Sequence, residues 1–336
     1  MKPIVVLAVL LLIIVPIVGQ SQDSEEFPLT VTDKSGVEIT LDAPVEDILC
    51  LSIACIDHLH QLGLQPAGIT DLLALPFEQY FGEIDEDMTI ISGGMQPDIE
   101  QIAAMGPDLI IGQAGFFDAL REAFSSIAPL FLIYPTTVED TISEVETMGL
   151  ITGRSDEAEA AAEAFLERYE AYHEDVPGDL TMMIVFGAAE GDNMFLEAAN
   201  GQTCLMLEEI ASCPFTVPED ATGVAAFGYS NFTFESILVA DPDVIFFSGY
   251  NEDRSLNEEA IEALEANELW QELTAVQNER VYLIEPWVWR GGRGLTLMAR
   301  TLDEAMPALY PDVFPEPLEF ETDTDETSED DTEADE

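Results

Sequence analysis

Lysine is almost absent from this chain: Lys2 and Lys34 are the only two in 336 residues. With the arginines they make ten cations against 68 acids, a formal net charge of −58. A surface so acidic repels polyphosphate nearly everywhere, which excludes nucleic acid as a partner. Histidine is scarce too, with only His58, His60 and His173. His58 and His60 are two positions apart and share no helical face. A dedicated zinc site needs three or four clustered ligands, so we expect no metal site, even with Asp57 or Glu78 assisting. The four cysteines, Cys50, Cys55, Cys204 and Cys213, allow three pairings. Neither local spacing resembles a zinc knuckle. In an oxidising compartment we expect pairing within each half, Cys50 with Cys55 and Cys204 with Cys213, because a bridge between halves would lock any hinge. Catalytic signatures are missing as well: no G-x-S-x-G elbow, H-E-x-x-H, P-loop or G-x-G-x-x-G after a strand. We therefore expect a binding protein and not an enzyme.

What is present is apolar and acidic together. Hydrophobic residues make up 47% of the chain, enough for real cores, and the length suits two lobes. Residues 319–336 carry eleven acids and no base, yet most of the charge remains on the rest of the chain. An acidic coat with lysine removed is a halophile-like signature, since high salt screens the self-repulsion. At the N-terminus Lys2 precedes an apolar run, Ile4 to Val18, then Gln20-Ser21-Gln22. We read residues 1–21 as a signal peptide, cleaved after Ser21, or as an uncleaved anchor. No cysteine follows for lipid attachment. Either way the folded part lies outside the cytoplasm. Residues 22–28 form a linker and 315–336 a disordered acidic tail.

Strand and helix patterns alternate between these ends. Leu29–Thr32 and Val37–Leu41 read as a hairpin across Asp33-Lys34-Ser35-Gly36. Strands follow at 47–51, 67–70, 109–112 and 130–134, with helices at 56–63, 97–105 and 117–125. This is a parallel α/β lobe over 29–153. Ser155 to His173 has no Gly or Pro and begins on Ser with acids behind it, a helix within a 154–176 connector. The pattern restarts over 177–314, with strands at 181–186, 195–197, 244–247 and 280–284 and helices at 204–211, 234–240, 258–273 and 295–309. One unit recurs: Ile99-Glu100 through Gly106-Pro107-Asp108 into Leu109-Ile110-Ile111 matches Phe234-Glu235 through Asp241-Pro242-Asp243 into Val244-Ile245.

The segment Glu285-Pro286-Trp287-Val288-Trp289-Arg290-Gly291-Gly292-Arg293-Gly294 concentrates cation, aromatic and glycine. Arg290 and Arg293 offer forked donors to a bulky anion, or they neutralise acids such as Glu285. On an extended segment Trp287 and Trp289 face one side, as cleft wall or as core filler. Tyr80 and Phe81, Phe116 and Phe117, Tyr229 and Tyr250 follow predicted strands, where open α/β sheets bind ligands. Asn231-Phe232-Thr233 is a glycosylation sequon.

In order and spacing these segments resemble the solute-binding proteins of the iron-siderophore, haem and vitamin B12 class of ABC importers. Val31-Thr32-Asp33 through Leu51-Ser52 looks like the family's opening strands. Ile99–Ile110 and Phe234–Ile245 look like its signatures in the two lobes. Val276 through Tyr282, and Trp287 through Pro311, look like its C-terminal end. The likeness covers about Leu29 to Phe314. It implies two Rossmann-like α/β lobes joined by one long rigid helix, with the ligand in a cleft between them. It also implies a monomer that captures a metal chelate, ferric siderophore first, corrinoid second and haem third, with no other cofactor. Delivery to an ABC permease would use acids on each lobe, with Glu78 in the first and Glu235, or Asp220, in the second. The missing lipobox cysteine departs from the family pattern. Competing readings are a metallocluster or chelatase-like enzyme on paired lobes, which needs Cys or His in the cleft, and a receptor for sensing instead of uptake.

Overall fold

The computed structural model describes residues 27–174, 176–186, 193–218, 220–249 and 257–320. The N-terminal segment 1–21, residues 321–336 and Tyr250 lie outside the described residues.

The first lobe opens with the hairpin β1 (Leu29–Thr32) and β2 (Glu38–Leu41), paired antiparallel. Then come β3 (Ile48–Cys50), β4 (Gly68–Thr70), β5 (Thr89–Ile91), β6 (Leu109–Gln113) and β7 (Leu130–Ile133). They form one parallel sheet in the order β5-β4-β3-β6-β7. β3, β4 and β7 are buried along their whole length, as strands covered on both faces must be. The cover is α1 (Ile53–Gln61), α2 (Asp71–Tyr80), α3 (Ile99–Met105), α4 (Arg121–Phe124) and α5 (Val138–Thr152). The expected helix at 117–125 begins instead as a 3₁₀ turn, Asp118–Leu120, before α4.

Helix α6 (Ser155–His173) follows. Its 19 residues rise about 28 Å at 1.5 Å each. Ala158, Ala162, Phe165 and Tyr172 form its buried stripe, at the 3- and 4-residue steps of one helical face. In its last turns Tyr172 donates its hydroxyl to Asp303 Oδ1 at 2.7 Å, and Arg168 pairs with the same carboxylate. The tail boundary expected at 315 falls too early. Leu318 donates its N–H to the Tyr172 hydroxyl at 2.9 Å, and Phe320 lies 4.2 Å beneath the Arg168 guanidinium. Two apolar side chains gain more on α6 than in water.

The second lobe contains β8 (Leu180–Val185), β9 (Asn193–Glu197), α7 (Gln202–Met206), β10 (Ala211–Ser212), β11 (Tyr229–Thr233), α8 (Phe234–Ala240) and β12 (Val244–Phe247). It continues through α9 (Glu258–Glu265), α10 (Glu268–Gln271), α11 (Thr274–Gln277), β13 (Val281–Leu283), α12 (Pro286–Trp289) and α13 (Leu295–Leu309). The sheet order is β11-β9-β8-β12-β13, with β10 added beside β8. β8, β12 and β13 run parallel, whereas β9 and β11 run antiparallel at one edge. The sheet is thus mixed, unlike the first. Two expected helices come out shorter. The stretch 258–273 breaks where the Asn267 side chain accepts the N–H groups of Leu269 and Trp270 and starts α10. The stretch 204–211 ends as helix at Met206, and Ala211 joins the sheet.

The repeated unit has the same physical form in both lobes. Asp98 caps α3 and Thr233 caps α8 through side-chain oxygens. Gly106 and Asp241 end these helices in the left-handed conformation, at φ 67° and 42°. Disulfides join Cys50 to Cys55 and Cys204 to Cys213. Among the described residues no helix is long and apolar enough to cross a membrane.

Candidate functional site: a cleft between the lobes

Parallel strands that end in one plane leave their following loops at one edge, and there the two lobes face each other. Ser52, Gln113 and Tyr134 follow β3, end β6 and follow β7. Phe186, Ser248 and Trp287 follow β8, β12 and β13 from the other lobe. Between them lies a cleft of about 510 Å³, within the range of small-molecule sites. The turn Leu51–Ala54 forms part of its floor, held between the bonded Cys50 and Cys55.

One residue in five of the chain is acidic, 68 of 336, yet among the described residues no Asp or Glu lines the cleft. Two arginines do. In so acidic a protein, a described lining with two cations and no acid favours an anion.

The two arginines have different tasks. Arg293 is only 5% exposed. It donates to the Pro135 carbonyl at 2.7 Å and to the hydroxyls of Tyr134 at 2.7 Å and Tyr229 at 3.4 Å. Its guanidinium also sits 4.0 Å over the Tyr134 ring. Pro135 and Tyr134 belong to the first lobe, so Arg293 is an interlobe strut with most of its donors engaged. Arg290 is exposed, 5.5 Å from the Phe195 ring and 5.7 Å from that of Tyr229. No hydrogen bond or ion pair occupies its guanidinium among the described residues, so it is the cation open to a ligand.

The tryptophans also part company. Pro286 occupies the first turn of α12, where its fixed φ favours helix, so the segment is not extended and the two indoles do not share a side. Trp287 lines the cleft, and its indole N–H is buried without a hydrogen-bond partner. Trp289 turns into the core at 2% exposure, stacks 4.5 Å from Phe246 and donates to Glu304 at 2.7 Å. Phe116 and Tyr229 line the cleft. Tyr80 does not; its hydroxyl donates to Glu285 across the lobe junction. Residues the sequence reading passed over also line the site: Ser52, Met95, Gln113, Tyr134, Phe186 and Phe227 among them. Tyr134 and Phe186 end predicted strands, so the rule that selected Tyr229 also selects them.

The floor is tied from below. Asp57, fully buried in α1, accepts the N–H groups of Thr296 and Leu297 at 3.0 Å each. It thereby caps α13 of the other lobe, immediately after the arginine segment. Burial still pushes the Asp57 carboxyl above its usual range despite these bonds. A Cβ on Gly294 would lie 2.3 Å from Asp57 Cγ, so only glycine permits this approach.

Glu197 is a second buried carboxylate. Its Oε1 accepts the N–H groups of Thr203 and Cys204, while Oε2 has no partner. Burial raises its pKa to about 7, against lowering by these bonds and by Arg293. A carboxyl raised in the folded state contributes full stability below its unfolded pKa, near 4.5, and loses it as pH rises through 7. That loss amounts to about 3 kcal/mol. Chemical unfolding at pH 5 and pH 8 should show Glu197→Gln losing less stability than wild type by roughly that amount; equal losses would mean Glu197 does not titrate in this window.

The remaining candidates stand apart. His58 is buried with Nε2 3.4 Å from Glu144, His60 packs edge-on at 5.4 Å from Phe81, and His173 contacts the Tyr169 carbonyl. No group of three or more His, Cys, Asp or Glu side chains is placed to hold a metal among the described residues. Glu78 on α2 and Glu235 in the first turn of α8 are exposed. Asn231 is exposed on β11.

Known proteins share this fold. The Fe(3+)-citrate-binding protein YfmC of Bacillus subtilis is 23% identical over 294 residues, covering 87% of this chain and 88% of its own. The Fe(3+) dicitrate-binding periplasmic protein FecB of Escherichia coli is 25% identical over 277 residues, covering 81% and 87%. Among solved structures, the petrobactin-binding protein YclQ of Bacillus subtilis superposes with a TM-score of 0.69 at 19% identity, over 84% of this chain and 98% of that one. The sequence model of the periplasmic binding protein family matches residues 50–287, and the chain belongs to that family.

Proposed function

We propose that this protein captures a ferric chelate of net negative charge in the interlobe cleft, outside the cytoplasm, and delivers it to an ABC permease. The observation that carries this reading is a cleft lined by no acid among the described residues, with the open Arg290 guanidinium and the unpartnered Trp287 indole N–H. Each is a donor with nothing to bond until a ligand brings acceptors. The apolar walls, Phe186, Phe116 and Phe227 among them, suit the organic shell of a chelate. That two relatives are named for ferric citrate supports the same class. Exposed Glu78 and Glu235 are the carboxylates we assign to permease docking, and no step of chemistry is needed.

The test is tryptophan fluorescence of the folded domain in molar salt, where the Debye length is about 3 Å and the acidic coat no longer repels at a distance. Titration with ferric citrate and ferric siderophores should give saturable sub-micromolar quenching through Trp287. A folded protein that answers to none of them contradicts the proposal.

A further inference from the structure

Phe227 ends the 3₁₀ turn Gly223–Phe227, which opens on one left-handed glycine, Gly223 at φ 64°, and is followed by another, Gly228 at φ 82°. The second of them, Gly228, is pressed against another segment of the same lobe: a Cβ there would lie 2.3 Å from Gly201 Cα. The turn is therefore fixed at its base, and its aromatic tip projects toward the opposite lobe. The Phe227 ring meets Tyr134 at 4.5 Å between centroids, tilted by 58°. It also covers Gly115, where a Cβ would come within 2.7 Å of Phe227 Cζ. Tyr134 and Gly115 follow strands of the first lobe, and Phe227 and Tyr134 line the cleft. One side of the cleft is thus closed by a ring that bridges both lobes, and the absence of a side chain at Gly115 is what admits it.

We infer that Phe227 determines specificity, restricting the site to compact ferric complexes such as ferric citrate and disfavouring bulky hexadentate ones. This rests on the ferric-chelate reading above. Packed interiors do not expand freely around an oversized group, so a ligand that needs the space of the Phe227 ring must displace it together with its contacts on Tyr134.

The experiment compares wild type, Phe227→Ala and Phe227→Leu in equilibrium titrations with ferric citrate and with a ferric tris-catecholate. Wild type should prefer ferric citrate. In Phe227→Ala the affinity ratio should move toward the tris-catecholate by about tenfold or more, with Phe227→Leu, which keeps more of the apolar volume, in between. An unchanged ratio in both variants, or a wild type that already prefers the tris-catecholate, overturns the role of Phe227 and leaves chelate binding intact. A wild type that binds neither complex overturns the chelate reading itself.

Discussion

Replacing Arg290 with glutamate should weaken binding of an anionic ferric complex by at least about a hundredfold while leaving the unfolding midpoint within a few degrees of wild type. A charge-assisted hydrogen bond contributes about 1.5–3 kcal/mol, and each 1.4 kcal/mol is tenfold in affinity. Losing that bond and adding a like charge within the cleft therefore exceeds two orders of magnitude. Stability should hold because Arg290 is exposed and makes no hydrogen bond or ion pair among the described residues. Arg293→Ala should behave differently. It removes donors from Pro135, Tyr134 and Tyr229 together, so its loss of affinity should come with a loss of stability. Equal effects on binding and folding for the two arginines would contradict the separation of roles.

The second large effect belongs to Asp57. Asp57→Ala leaves two N–H groups of α13 unsatisfied at a buried helix start, which costs about 3 kcal/mol as a lost cap and lost buried acceptor. Because α13 begins just beyond Arg293, the variant should also lose affinity although Asp57 does not line the cleft. Asp57→Asn, which keeps one acceptor oxygen, should recover part of both. Denaturant unfolding combined with ligand titration checks this. A stable Asp57→Ala protein with wild-type affinity would show that the interlobe cap does not position the arginine segment.

These ties, with Tyr80 to Glu285 and Arg293 to Tyr134, cross the base of the cleft in addition to α6. None of them was legible in the sequence. Helix α6 was, because an N-terminal serine followed by acids defines its start and a run free of Gly and Pro defines its body. The paired units at 98–111 and 233–245 were legible too, since capping residues and a left-handed stop are written locally. Arg293 shows where local reading ends. Its cationic, glycine-rich surroundings fit a ligand contact, but its partners Pro135 and Tyr134 lie 158 and 159 residues away, and only the fold brings them together. Trp289 was placed beside Trp287 by assuming an extended strand, although Pro286 carried the signal for a helical turn that sends it into the core. Strand β9 was legible at 195–197 but its antiparallel direction and its partner β11 were not, because short strands on a mixed edge carry no mark of direction.

A cleft with two arginines and no acid among its described lining residues, set in an acidic protein, should select an anionic ferric complex. The wild-type protein is titrated, in molar salt, with two ferric trihydroxamates of similar size and opposite net charge, one bearing a free ammonium and the other the same amine capped as a succinate half-amide. The anionic complex should bind at least about a hundredfold more tightly than the cationic one, the difference expected from one charge-assisted contact at Arg290. Equal affinities, or preference for the cation, would contradict it.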